Sequence, residues 1–466
     1  MNAAQRDRVL DNARYLREVR PVDPAEIHEY VPGQPHPAAV ARVLREAAVD
    51  LGLVERDDGT FVPVEDGPVS VPFAGVERLP EAYGRVLEDL LVDRFGPGWP
   101  AGESGDRLRA RIREIKALYH RGGSVSYDDL TALAYALYHL PDYYAAAQYV
   151  LADLIEDGLL DRRLRVLDVG AGVGGPALGL HDLLPADALV DYRAVEPAAA
   201  ADLLDALLAE TGRNFHASIH RETAESFDPG AEYDLIVFAN VLSELADPAA
   251  VVDRYLDALA ADGLVVALAP ADRNTAVGLR DVERAVAGDD GATVYAPTVR
   301  LWPGESPAGE CWSFDVRPDL AVPGFQRRLD EAGDGDGEFV NADVQYAFSI
   351  LRTDSRRRIE YVPDPDRTAK MAETERHVTE RIDLAAIKLS HDLGDGDNAV
   401  YLVGDGSERV DHFAVLTRPS ALNEPLRTAD YGDLLAFENV LVLWNDDDGA
   451  YNLVVDGETV VERVPA

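Results

Sequence analysis

The chain has 466 residues, 47% of them hydrophobic, enough to fill about three cores of ordinary domain size. Asp and Glu total 85 against 44 Lys and Arg, a formal charge of −41, and because the acids are spread along the whole chain they describe a solvated surface rather than a tail. One cysteine, three lysines (Lys116, Lys370, Lys388) and no signal peptide or membrane-length apolar run exclude a disulfide framework and a multi-cysteine metal or iron–sulfur centre, and lead us to expect a cytoplasmic, salt-adapted monomer away from any membrane.

Residues 1–100 are expected to form an α+β region. Residues 37–51 carry helical periodicity and residues 53–64 read as a hairpin around Asp58-Gly59. Helix followed by hairpin suggests a winged-helix-like module, with a small α+β cap on the neighbouring domain as the competing reading. The polar stretch 96–104, rich in Gly and Pro, marks a boundary.

Residues 105–355 open with a basic run. Arg107, Arg109, Arg111, Arg113, Lys116 and Arg121 stand close together with Glu114 the acid among them. In so acidic a chain this helix is the candidate for phosphate contact, with Arg107, Arg109, Arg113 and Lys116 as the RNA-binding set. Salt bridges to neighbouring acids are the competing reading, and the net charge does not argue against RNA, since molar salt shortens the Debye length to about 3 Å. Residues 127–137 and 143–151 read as two helices either side of Tyr138-His-Leu-Pro-Asp-Tyr-Tyr144.

Next comes Arg165-Val-Leu-Asp-Val-Gly-Ala-Gly-Val-Gly-Gly175, an apolar strand that ends in Asp168 and opens into glycines. Gly170, Gly172 and Gly174 supply a tight strand-to-helix turn with no Cβ to keep a ligand away. Two cofactors compete for such a turn: a dinucleotide, with its pyrophosphate on the helix N-terminus, and S-adenosyl-L-methionine, whose methionyl ammonium needs a carboxylate. Asp168 favours the second. The following strand, Val190-Asp-Tyr-Arg-Ala-Val-Glu196, ends in an acid about 20 residues past the glycines, where a carboxylate accepts both ribose hydroxyls. Tyr233-Asp-Leu-Ile-Val-Phe-Ala-Asn240 reads as a buried parallel strand, and Ala261-Asp-Gly-Leu-Val-Val-Ala-Leu-Ala-Pro270 as turn, strand and stop. The rhythm is that of an α/β, doubly wound sheet.

This segment resembles a class I methyltransferase domain, in which the strand ending at Asn240 would deliver its terminus beside the transferred methyl. Asn240 and Glu244 are therefore the candidate catalytic residues, and Asp168, Gly170, Gly172, Gly174 and Glu196 the candidate cofactor contacts. A narrower resemblance rests on Leu133-Ala-Tyr-Ala-Leu-Tyr-His-Leu-Pro-Asp-Tyr-Tyr-Ala-Ala-Ala147, the glycine turn, Ala194-Val-Glu-Pro197, the stretch from Asp234 to Leu245, and Gln345-Tyr-Ala-Phe-Ser-Ile-Leu-Arg352, in that order. Together they are similar to the methyltransferase-like family associated with the small ribosomal subunit, over residues 105–355. The resemblance implies small-subunit ribosomal RNA or its assembly intermediate as partner, and Tyr143 and Tyr144 on a helix packed over the pocket. The chain departs from the mitochondrial-type members in having Cys311 alone where they carry several cysteines, so no iron–sulfur cluster is expected.

Residues 375–466 change character, with short β-prone stretches at 382–389, 399–403, 412–416, 440–444 and 451–455 separated by acid-rich turns. They suggest a small barrel of the oligonucleotide-binding type. Tyr401, Phe413, Tyr431 and Trp444 are candidate stacking surfaces, each contributing roughly 1–3 kcal/mol if a base lies on it, with core placement as the competing reading. His391 and His412 lack ligand spacing, and no metal site is assigned. The function expected is S-adenosyl-L-methionine-dependent methylation of small-subunit ribosomal RNA or its assembly intermediate, the alternative being a non-catalytic, cofactor-binding assembly factor.

Overall fold

The computed structural model describes residues 1–120, 128–288 and 291–465; Arg121 and Tyr127, part of the basic run and of a helix start expected above, lie outside the described residues. The chain begins with α1 (Ala3–Leu16), α2 (Pro24–Tyr30), α3 (Pro37–Glu46) and a single turn, α4 (Ala48–Leu51), followed by the antiparallel pair β1 (Leu53–Glu55) and β2 (Phe61–Pro63). The helix starts are written in the sequence. Asn2 and Gln5 form a reciprocal capping box, and Asp23 caps the helix that Pro24 opens. Val9, Ile27, Val40, Leu44 and Phe61 close a core of their own. The region is tied to the next by Asn214, whose amide accepts from the Glu55 N–H at 2.7 Å and donates to the Glu55 carbonyl at 3.1 Å.

Three helices then lead in: α5 (Glu81–Phe95), α6 (Gly102–His120) and α7 (Asp129–Glu156). The central sheet is built from β3 (Arg163–Val169), α8 (Gly175–Leu183), β4 (Leu189–Val195), α9 (Ala200–Leu208), β5 (Phe215–His220), β6 (Tyr233–Ala239), α10 (Pro248–Leu256), β7 (Leu259–Pro270), α11 (Arg273–Val286), β8 (Thr293–Ala296), β9 (Asp315–Arg317), α12 (Gly324–Glu331) and β10 (Val344–Arg352). Its strand order is β5-β4-β3-β6-β7-β10-β8, parallel from β5 through β7, with β10 antiparallel to both its neighbours and β9 paired to β10. The order reverses between β3 and β6, and in open α/β sheets that switch point is where ligands bind, outside the strands' carboxyl ends.

The C-terminal strands are β11 (Arg381–Lys388), β12 (Ala399–Gly404), β13 (His412–Leu416), then α13 (Pro425–Thr428), β14 (Leu434–Asn445), β15 (Ala450–Val455) and β16 (Val460–Arg463). β11 pairs with both β12 and β14, and β13 runs parallel to β15, so β11-β12-β13-β15-β14 close into a five-stranded barrel with β16 added outside β14. This is the oligonucleotide-binding type of barrel expected. β14 is longer than its sequence signal because Asn439, at φ 61, bends it at the point where its register against β11 shifts. Tyr431 ties barrel to sheet: its hydroxyl lies 2.6 Å from the Ser313 hydroxyl and its ring 5.7 Å from Phe348.

The two helices expected at 127–151 are one. α7 runs on through Pro141, although proline removes a helix N–H and clashes with the preceding turn. The carbonyl deprived of its partner is that of Leu137, and the side chain of buried Gln326 on α12 donates to it at 2.9 Å. The same residue accepts from the Asn341 N–H at 3.0 Å, and Asn341 donates to the Tyr138 carbonyl at 3.1 Å. A tertiary donor thus replaces the backbone one, and burial on all sides holds the helix together. Gln326→Ala should destabilise the protein by about 1–3 kcal/mol in chemical denaturation, since it orphans a buried carbonyl. In a Pro141→Ala background, where residue 141 again has an N–H, the loss should shrink by about 1 kcal/mol or more; strict additivity of the two substitutions would refute the substitution of one donor for the other.

Candidate cofactor and acceptor site

β3 ends at Val169 and the chain turns at once through Gly170, Gly172 and Gly174, with φ of 73, 54 and 87°. A Cβ on Gly170 would lie 2.4 Å from Val241 Cγ2, and one on Gly174 2.5 Å from Leu204 Cδ1. Conformation therefore demands glycine at both positions, and space does so as well at Gly170. The turn, the Val195-Glu196-Pro197 corner after β4, Thr223 to Glu225, and Asn240 to Leu245 after β6 surround a cavity of about 240 Å³, with Tyr135 and Tyr143 of α7 above it.

Glu196 holds this turn from the neighbouring strand. One carboxylate oxygen accepts from the Gly172 N–H at 2.9 Å, the other from the Ala198 N–H at 2.9 Å. Burial raises its pKa while both amide bonds oppose the shift. Each oxygen keeps another lone pair for a ligand hydroxyl.

Asp168, the expected ammonium contact, lies lower than the turn itself. Its side chain is fully buried beneath the turn, does not line the cavity, and accepts a hydrogen bond from the Tyr192 hydroxyl on β4; its Oδ1 has no protein partner. A parallel strand covered on both faces offers two buried sides, and the pleat sends residue 168 to the side where Tyr192, diagonal to it across the β3–β4 ladder, is waiting. Burial pushes its pKa up to about 7, with the Tyr192 bond opposing and the Glu196 charge adding.

Asn240 follows the last residue of β6 in left-handed conformation, φ 60°, and its N–H donates to the Leu268 carbonyl at 2.9 Å. Asn tolerates this region better than most side chains. Asn240, Glu244 and Leu245 line the first cavity and also a second one of about 260 Å³, whose far wall is Leu268, Ala269 and, from α11, Asn274, Thr275 and Leu279. Glu244 ends a single 3₁₀ turn and accepts from the Tyr119 hydroxyl at 3.3 Å, which lies 3.4 Å from the Tyr135 hydroxyl. The α11 residues and the two tyrosines were missed in the sequence. Tyr135, His139 and Tyr143 recur every fourth residue, an aromatic stripe on one helix face that was the available signal.

The basic helix turns one face inward and engages most of the candidate cations in pairs. Arg109 is 5% exposed, donating to the Pro100 and Leu329 carbonyls at 2.9 Å each and to Asp106 at 2.7 Å. Arg113 grips Glu338 at 2.7 Å, and Lys116 donates to the Glu338 carbonyl at 2.9 Å with its ammonium 4.6 Å above the Tyr138 ring. Residues 109, 113 and 116 share one helix face, next to buried Leu108, Ile112 and Ile115, so that face must pack. Arg109 is accordingly corrected from phosphate contact to structural cation, while Arg107 lies exposed. Of the barrel aromatics, Tyr401 is buried under Lys388, Phe413 half-buried and Tyr431 engaged at Ser313; Trp444 is 41% exposed. His412 is buried between the Val410 carbonyl and Thr374, and burial lowers its pKa to about 4. Among the described residues no group of His, Cys, Asp or Glu is arranged to hold a metal ion, and no helix is long and apolar enough to cross a membrane.

Residues 143–322 match the methyltransferase domain family, and with the sheet order above the chain contains a class I S-adenosyl-L-methionine-dependent methyltransferase domain. Residues 6–57 and 372–464 match the N-terminal and C-terminal domains of DUF8157, a domain of unknown function. No curated protein matches the chain. Similar solved structures include the sugar N-methyltransferase KedS8 from Streptoalloteichus sp., 24% identical over 27% of this chain and 48% of that one, TM-score 0.21. A second is an S-adenosyl-L-methionine-dependent methyltransferase from Methanococcus maripaludis described as putative, 15% identical over 32% of this chain and 66% of that one, TM-score 0.26. The plantazolicin methyltransferase BpumL, with S-adenosylhomocysteine bound, is 10% identical over 58% of this chain and 99% of that one, TM-score 0.29. The chain thus spans about half of KedS8.

S-adenosyl-L-methionine is the cofactor of this domain, and the cavity suits it: the glycine turn lines it with backbone alone, and Glu196 offers a carboxylate with lone pairs still open. Asp168 gives a pH test. Its folded pKa lies above the unfolded value of 3.8, so between about pH 4 and 7 the folded state holds more protons and stability falls as pH rises. Asp168→Asn, still able to accept from Tyr192, should melt higher than wild type at pH 8 and lose that advantage at pH 4; parallel melting curves across this range would show that the carboxyl is not desolvated as described.

Proposed function

We propose that the chain transfers a methyl group from S-adenosyl-L-methionine to an acceptor seated in the second cavity. The observation that carries this reading is the shared wall: Asn240, Glu244 and Leu245 border both cavities, so donor and acceptor would meet across them. The bound cofactor supplies an electrophilic methyl on its sulfonium. The chain's own residues supply position. Glu196 accepts from the ribose hydroxyls, the glycine turn admits the nucleoside, and the Asn240 amide orients the acceptor atom. Glu244, hydrogen-bonded to Tyr119, stands where it can take up the proton that an N–H or O–H acceptor releases. Alignment supplies much of the rate when the acceptor is itself nucleophilic.

The described lining of the second cavity holds no Arg, Lys or His. This supports a neutral or cationic acceptor group and leaves phosphate outside. A nucleobase of small-subunit ribosomal RNA, or of its assembly intermediate, is the acceptor the family resemblance supports, and it would give the barrel and its exposed Trp444 a role. The dispersed acids and scarcity of lysine support a high-salt working environment.

Asn240→Gly, which keeps the left-handed backbone, should lower methyl transfer by about tenfold or more with S-adenosylhomocysteine affinity within about twofold, because the side chain would act on the acceptor and not on the cofactor. In cells, deletion should remove one specific methyl mark from ribosomal RNA, restored by wild type and not by Asn240→Gly. Deletion that leaves every mark intact while small subunits stay immature would overturn catalysis in favour of an assembly factor that uses the cofactor structurally.

A further inference from the structure

What the second cavity can hold, on the methyl-transfer reading above, is marked by α11. Residues 274, 275, 278, 279 and 282 line that cavity and share one face of the helix. Gly278 stands in the middle of this face and of the helix, where glycine is less favourable than alanine because it gives up more chain freedom on folding. Packing does not ask for it. A Cβ on Gly278 would meet no atom of the described residues within 4 Å, whereas one on Gly179 in α8 would strike the Tyr144 carbonyl oxygen at 2.8 Å. A mid-helix glycine that no turn or close contact requires keeps space open, and the space beside this one is the cavity.

Size and lining narrow the occupant. An apolar cavity of about 150 Å³ holds one benzene ring, so the cavity's volume of about 260 Å³ takes one ring system with its substituents. Leu242, Leu245, Leu268 and Val282 offer apolar surface, and Asn240 and Asn274 offer neutral amides. Apolar faces with hydrogen-bonding edges are what a heterocyclic base presents to a pocket. Asn240 also borders the cofactor cavity, so the atom that takes the methyl lies at its end and the rest of the ring reaches toward α11.

We infer that Gly278 sets the size of the acceptor subsite, admitting one uncharged base whose ring lies against the bare backbone of α11. A side chain at this position would take the place of the base. The test uses the full chain in high salt with radiolabelled S-adenosyl-L-methionine, and as acceptor probes the immature small subunits and the free small-subunit ribosomal RNA of cells lacking the chain. Gly278→Ala and Gly278→Leu should melt no lower than wild type, since both residues favour helix over glycine, and should bind S-adenosylhomocysteine within about twofold of it. Methyl transfer should nevertheless fall in the order of side-chain size, by about tenfold or more for leucine. Wild-type transfer by Gly278→Leu would overturn the subsite. So would lower melting temperatures in both variants, which would make the glycine a requirement of the fold. If wild type binds S-adenosylhomocysteine yet methylates neither probe, the RNA acceptor of the methyl-transfer reading falls first, and the subsite with it.

Discussion

The site depends on how closely two helices approach. α7 crosses α8 with almost no side chain between them: a Cβ on Gly179 would sit 2.8 Å from the Tyr144 carbonyl oxygen, just as one on Gly175 would strike Tyr143. The two glycines are one helical turn apart, so they form a single smooth groove. Gln148 closes the contact by donating to the Gly179 carbonyl at 3.2 Å, and Tyr144 by donating to Asp182 at 2.8 Å. Because the helices touch backbone to backbone, the face of α7 bearing Tyr135 and Tyr143 comes down over the glycine turn. With any larger residue at 175 or 179 the cover would stand off and the cavity would open to solvent.

Opposite this cover, the floor is set by strand geometry. β3 and β6 are neighbours in the sheet but diverge at their ends, one into a turn of glycines and the other into the left-handed Asn240. A residue in a sparsely populated conformation at the wall between two cavities is where folds store strain for function. The backbone hydrogen bond from Asn240 to Leu268 fixes that conformation to the next strand, so the first residue of the wall is anchored to the sheet although the rest lies on the turn beyond it.

Much of this was legible. The apolar strands, the glycine turn and the Glu196 corner follow from periodicity and from residue types with few alternative uses, and the barrel's alternating short strands pointed to closure. The burial of Asp168 was not legible, because a strand buried on both faces gives no sign of which side an acid takes; the choice lay with Tyr192, a residue on another strand. Arg109 was misjudged because cations on alternate residues wrap around a helix, and only those on the face shared with the packed one are consumed. The second cavity was invisible since α11 joins it through tertiary packing alone. Pro141 misled for a related reason, its remedy lying far along the chain in Gln326.

That remedy has a consequence for how such sequences diverge. Proline at 141 and an amide donor at 326 are individually unfavourable to lose in an order that leaves the Leu137 carbonyl bare, so drift in this lineage is directional. The proline can be exchanged first, after which position 326 is released from its duty to Leu137; the reverse route passes through a protein whose cofactor cover is weakened in mid-helix. Relatives should therefore divide into those with both residues, those with neither, and those with the donor alone, while proline without a donor should be the rare combination.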